Sequence, residues 1–173
     1  MQMIKEVIHD PLFLSGKSEK AIEKAIEKQI NSNSDNPRVG KEFQDEVRKW
    51  FEDNKVRQFN LEHPILIGCP AKPHKFDIAD TEESIVVECK CYSWTGSGNI
   101  PSAKLAVLNE ALFYFSFLPA KTEKMLVMSY ATHPKKTETL AEYYYRTHKH
   151  LLGDVKIMEY NMHTDFMRII TQE

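Results

Sequence analysis

Hydrophobic and polar positions recur along this chain with two different periods, and the changes between them outline its elements. In residues 17–31, Ala21, Ile22, Ala25, Ile26 and Ile30 recur at helical spacing among Lys and Glu, which predicts an amphipathic helix. The polar, turn-rich Asn31-Ser32-Asn33-Ser34-Asp35-Asn36-Pro37 then reads as a linker. A second helix is predicted over residues 38–54, with Phe43, Val47, Trp50 and Phe51 as its apolar stripe. Residues 56–68 look extended, and Pro64-Ile65-Leu66-Ile67-Gly68 is the best strand among them. Strand-forming residues fill 75–79 and 85–92 on either side of the polar Thr81-Glu82-Glu83-Ser84, which predicts a β-hairpin with a four-residue connection. Gly96, Gly98 and Pro101 mark a loop that enters a helix over residues 102–118. That helix is apolar nearly all round, with Leu105, Val107, Leu108, Ala111, Leu112, Phe115 and Leu118, and is expected to be buried against the sheet. A strand over 123–130, an amphipathic helix over 137–152 and a strand over 155–160 complete the pattern.

Helix, three strands, helix and strand, with a further helix and strand appended, predict an α/β fold with a mixed sheet and helices on both faces. The domain boundaries expected are a helical arm and linker over residues 1–36 and one α/β domain over 37–173. With 173 residues the chain suffices for one well-buried core, and its 42% hydrophobic and 28% charged residues are ordinary for a globular protein. No apolar run reaches the length of a membrane span, and the first residues lack a signal-peptide core, so a cytoplasmic protein with no membrane partner is expected. Three cysteines, two of them inside one predicted strand, argue for reduced thiols. The net charge of −2 does not mark a general polyanion binder, so any nucleic-acid contact must come from local basic patches.

The hairpin carries the chemistry. Its register pairs Asp80 with Ile85, Ala79 with Val86, Ile78 with Val87 and Asp77 with Glu88. Directly opposed residues share a face, and Lys90 lies two residues beyond Glu88, so Asp77, Glu88 and Lys90 emerge together. Two opposed carboxylates repel unless positive charge lies between them, and a divalent metal plus the Lys90 ammonium would supply it. Oxygen ligands of this kind suit magnesium or manganese. Ile78, Val87, Cys89 and Cys91 fall on the other face, available to a core.

With Asp77 followed by Glu88-Cys89-Lys90 on a hairpin, preceded by a helix and followed by a buried helix and a strand, residues 38–131 resemble the PD-(D/E)xK nuclease superfamily, the restriction-endonuclease-like fold. The resemblance implies an αβββαβ core, here with an added N-terminal helical arm. It also implies a nuclease that hydrolyses phosphodiester bonds, in DNA rather than RNA, with Mg2+ or Mn2+ as cofactor. Asp77, Glu88 and the main-chain carbonyl of Cys89 would hold the ion, which would lower the pKa of a bound water and orient it for attack. Lys90 would position or deprotonate that water, or stabilise the transition state; only the deprotonating role needs a depressed pKa. The family's first helix often reads Gly-x-x-Phe-Glu-x-x-Val, and Gly40 to Val47 places Gln44 at the Glu position. Gln44 and Glu46 flank the apolar stripe on opposite sides, and Glu42 lies further round toward solvent. Glu46 is thus a candidate for the fourth catalytic position, and Gln44, Lys75 and Lys104 for substrate contact.

Other readings compete. A nucleic-acid-binding protein of the same fold with little cleavage is the principal alternative, and an interaction module or homodimer through Ile22, Ile26 and Ile30 is another. Cys69, His74, Cys89 and Cys91 are zinc-type ligands, although Cys-x-Cys within an alternating strand more simply supplies two small core residues. Ser93, Thr95, Ser97, Asn99, Ser102 and Lys104 form a loop able to meet phosphates at a helix N-terminus, or an ordinary N-cap. Lys72, His74 and Lys75 precede the hairpin on its other side. Trp94 is expected to pack, and at least one of Tyr143, Tyr144 and Tyr145 to enter the core.

Overall fold

A computed structural model of the protein describes residues 37–171, so the helix expected over 17–31 and its self-association surface lie outside the described residues. Within them the chain forms α1 (Pro37–Lys55), β1 (Phe59–Ile67), β2 (Lys72–Asp80), β3 (Ile85–Lys90), α2 (Ser102–Phe115), β4 (Glu123–Ser129), α3 (Leu140–His148), a 3-10 turn (Lys149–Leu151), β5 (Lys156–Asn161) and β6 (Phe166–Ile169). The six strands form one mixed sheet in the order β1-β2-β3-β4-β5-β6. β1 to β3 are antiparallel, β3, β4 and β5 run parallel, and β6 returns antiparallel to β5. Parallel neighbours need a crossover, which α2 supplies between β3 and β4 and α3 between β4 and β5. Among the described residues no helix is long and apolar enough to cross a membrane.

Two apolar clusters cover the two faces of the sheet. On one, Phe43, Val47 and Phe51 of α1 pack on Ile78, Val87, Cys89, Met125, Val127 and Met158, with Cys91 and the half-buried Trp50 at the margin. On the other, Leu105, Leu108, Ala111 and Phe115 of α2 and Leu140, Ala141 and Tyr144 of α3 pack on Phe76, Val86, Leu126, Met128 and Ile157. The Tyr144 hydroxyl ties the two helices together by donating to Asn109 Oδ1 at 2.9 Å. Tyr144 is the fully buried member of the tyrosine triplet, and Trp94 packs with 2% exposure.

The helix α2 buries less than its composition suggests. Val107 and Phe113 are 38% and 60% exposed, because one face of α2 meets the sheet and α3 while the opposite face meets neither. The helix expected over 137–152 starts later because Thr139 caps it, and it ends in the 3-10 turn Lys149–Leu151: Thr139 Oγ1 accepts the Glu142 N–H and Glu142 Oε2 accepts the Thr139 N–H, a capping box that sets the first turn. The strand β6, four residues at the sheet edge with only Met167 buried, has no apolar alternation to announce it.

The hairpin has the expected pairs Ile78↔Val87 and Ala79↔Val86. Its turn is closed by a side chain. The buried Asp80 carboxylate accepts the Ile85 N–H at 2.9 Å, the Ser84 hydroxyl at 2.5 Å and Arg57 Nη1 at 2.8 Å. Burial alone would raise its pKa, but these donors outweigh that and hold it below the usual carboxylate range. Asp80→Asn is therefore expected to destabilise the fold by about 1–3 kcal/mol, read by urea denaturation. Because the folded-state pKa is depressed, the stabilisation is present above the ordinary aspartate pKa. It is lost as pH falls through the folded value, and the variant should lack that acid-dependent part of the unfolding curve.

Candidate active site

Asp77 lies where β2 is released from both of its neighbours. The β1–β2 register runs without slip from Phe59↔Asp80 to Ile67↔Lys72, yet skips the position where Glu62 would face Asp77. The β2–β3 ladder stops at Ile78↔Val87, one residue short of Asp77. Glu62 has φ of 50°, in the left-handed region that a strand residue seldom occupies. The hairpin also changes faces here. Phe59 and Ile78 belong to the α1 cluster, whereas Ile65 and Phe76, which regular alternation would put on the same side, belong to the α2 cluster. The turn of the backbone opens a gap in the sheet at Asp77.

The Asp77 carboxylate fills that gap with hydrogen bonds. Oδ2 accepts the Cys89 N–H at 2.7 Å, in place of a strand-to-strand bond, and Lys90 Nζ at 3.3 Å. Oδ1 accepts Gln44 Nε2 at 2.7 Å. Gln44 is thus the polar α1 side chain that reaches Asp77, while Glu46 pairs with Lys49 at 2.7 Å and the exposed Glu42 with Arg38 at 3.5 Å. Buried Phe43 and Val47 fix the rotation of α1, and Gln44, next to Phe43, lies half-buried at the margin of that face.

Lys90 Nζ binds Glu88 Oε2 at 2.7 Å as well as Asp77, so the charge between the two carboxylates is the lysine's own ammonium. Among the described residues no three His, Cys, Asp or Glu side chains converge on one ion position as they stand. Burial, then the charge of Asp77, raises the Glu88 pKa to about 7, with Lys90 opposing. Burial would lower Lys90, but Glu88 and Asp77 outweigh it and push it above the ordinary lysine range. The resident species is the ammonium. It lacks the depressed pKa of a proton acceptor and is suited to stabilising negative charge.

These groups open on a cleft of about 290 Å³ lined also by His74, Lys75, Val107, Glu110, Ala111 and Tyr114. His74 is stacked on Tyr114 with ring centroids 3.8 Å apart and meets the edge of Phe76. Burial lowers its pKa, favouring the neutral ring. Glu110 and Tyr114 were not legible as site residues; the one signal was a carboxylate one turn before a tyrosine on an otherwise apolar helix. Lys75 is exposed at the rim of the cleft, whereas Lys104 lies over the Tyr92 ring at 5.5 Å. In the loop before α2, Thr95, Ser97 and Asn99 bond to one another, and Gly98, at φ of 82°, carries the His133 ring where a Cβ would sit, 2.8 Å away. The zinc-type residues are dispersed: Cys69 is exposed, Cys89 and Cys91 lie with the α1 cluster, and His74 packs against Phe76 and Tyr114 of the opposite cluster.

No family model, curated protein or solved structure matches the chain.

The charge arrangement sets a titration. In metal-free protein the Glu88 carboxyl should titrate near pH 7 by carbon-detected NMR, moving down in Asp77→Asn and up in Lys90→Met. A folded-state pKa raised above the unfolded value favours the fold below the unfolded pKa and loses that advantage as pH rises through 7. Glu88→Gln should accordingly gain stability relative to wild type on going from pH 5 to pH 8. A Glu88 midpoint in the ordinary glutamate range would contradict this description of the site.

Proposed function

We propose that the protein is a metal-dependent nuclease of the PD-(D/E)xK kind, built on the αβββαβ core of that fold with β5 and β6 appended, and acting on DNA. One observation carries the reading: Asp77, Glu88 and Lys90 form a single hydrogen-bonded cluster at the opening of the hairpin, against a cleft open to solvent. A buried ion pair is by itself weak evidence for stabilisation. Placing two carboxylates and an ammonium at a break in the sheet is more readily explained by chemistry done there.

The donor set fits a hard divalent cation such as Mg2+ or Mn2+. Asp77 and Glu88 are oxygen donors in one cleft, and their present counter-ion is a single Nζ. Asp77, Glu88 and the Cys89 carbonyl would hold the ion, which when bound acidifies a water and neutralises charge on a phosphate. The protein's own groups supply the rest. Gln44 and the Cys89 N–H orient Asp77 through its two oxygens, so that its carboxylate is fixed before substrate arrives. Lys90, kept charged, faces the negative charge that develops on a phosphodiester in the transition state. Lys75 at the rim is placed to meet a neighbouring phosphate.

A second reading is favoured by Gln44: the α1 residue that touches Asp77 is a carboxamide, not the acid the family pattern carries. A protein of this fold that binds nucleic acid with little turnover follows from it. The two separate on incubating the protein with Mg2+ or Mn2+ and plasmid, linear, single-stranded and branched DNA. A nuclease should cleave at least one of these, and Lys90→Ala should lower the rate by about 100-fold or more. Cleavage that survives Lys90→Ala would refute the mechanism. Binding without cleavage, unaffected by metal, would favour the second reading.

A further inference from the structure

Of the residues lining the cleft, His74 carries a buried polar atom left without a hydrogen-bond partner. Its Nε2 is buried without a hydrogen-bond partner, although a buried ring nitrogen is ordinarily paired. The ring cannot simply turn away, since Tyr114 stacks on one side of it and Phe76 meets it edge-on. Its nearest acidic atom is Glu88 Oε1, at 4.0 Å. That is too long for a hydrogen bond. It is within the reach of two ligands sharing one ion, which stand up to about 4.2 Å apart when each bond is about 2.1 Å. Lys90 takes the other oxygen, Oε2, so Oε1 is the oxygen left facing the imidazole.

We propose that His74 Nε2 is a ligand of the same metal ion as Asp77 and Glu88, which makes the site selective for Mn2+ over Mg2+. This inference rests on the metal-site reading above and goes beyond it. Imidazole ligates through a ring nitrogen lone pair, and Nε2 is the nitrogen on the Glu88 side. Mg2+ prefers oxygen donors and gains little from an imidazole, whereas Mn2+ and later transition ions accept nitrogen readily. A nitrogen beside two carboxylates therefore raises Mn2+ affinity more than Mg2+ affinity. The chemical class of cofactor follows from the donor atoms, independently of what the site cleaves.

The experiment is metal binding to the full chain without nucleic acid. Titration calorimetry with Mn2+ and Mg2+ is run on wild type, Asp77→Asn and His74→Phe, the last keeping the stacked ring and removing both nitrogens. Wild type should bind Mn2+ about tenfold or more tightly than Mg2+. His74→Phe should lose about tenfold in Mn2+ affinity and less than about threefold in Mg2+ affinity. On wild type alone, pulsed electron paramagnetic resonance of bound Mn2+ should show a nitrogen coupling, so the result does not depend on the variant folding. Equal losses for the two ions, or Mn2+ bound with no nitrogen coupling, would overturn the His74 assignment and leave the nuclease reading standing. Nitrogen-coupled Mn2+ in a protein that cleaves nothing would do the reverse. Failure of wild type to bind either ion would overturn both.

Discussion

Everything at the site depends on a carboxylate standing in for a missing strand pair. At Asp77 the sheet has no ladder bond on either side, and its backbone groups would otherwise be left to water in a largely apolar layer. The Asp77 side chain resolves this by taking the Cys89 N–H directly. The same carboxylate receives Gln44 from α1 and Lys90 from β3, so one residue links the helix on one face to the charged end of the hairpin. The left-handed Glu62 and the change of face between Ile78 and Phe76 are the backbone side of this arrangement. Backbone strain of this kind persists where the surroundings hold it in place, and here they are a functional candidate.

Charge balance explains why the cluster holds together without an added ion. Glu88 is buried, and both burial and Asp77 disfavour its ionised form. A single ammonium, Lys90, is shared between the two acids and keeps the group compact. As Glu88 gives up its proton near pH 7, one ammonium stands against two carboxylates, and a divalent cation would balance that second charge where the ammonium does not. The proposed nuclease chemistry starts from that cluster, and the proposed role of His74 from its unpartnered Nε2 beside it.

The sequence made the hairpin legible because alternation and turn chemistry there agree: Ile78, Val87 and Cys89 join the α1 core, and the four-residue connection closes on Asp80. It made α1 legible through the strict spacing of Phe43, Val47 and Phe51. What it hid has physical causes. The twist at Glu62 breaks the period-two rule, so the placement of His74 and Phe76 beside α2 could not be read by counting. Glu110 and Tyr114 sit on a helix whose composition signals burial in every direction. Gln44 and Glu46 flank the apolar stripe of α1 on opposite sides, so which of them meets the hairpin depends on how the helix lies across the sheet, which residue spacing does not give. The edge strand β6 buries too little to leave a pattern.

The central claim is that the Asp77–Lys90–Glu88 cluster is a cation site in waiting. It is tested most directly by a crystal structure of the full chain soaked in manganese, with anomalous scattering recorded at the metal's absorption edge. An anomalous peak bounded by Asp77, Glu88 and His74 Nε2, with Lys90 Nζ moved off the line between the two carboxylates, is the expected result. Ordered density for Lys90 still bridging Asp77 and Glu88, with no anomalous peak in the cleft at millimolar manganese, would contradict it.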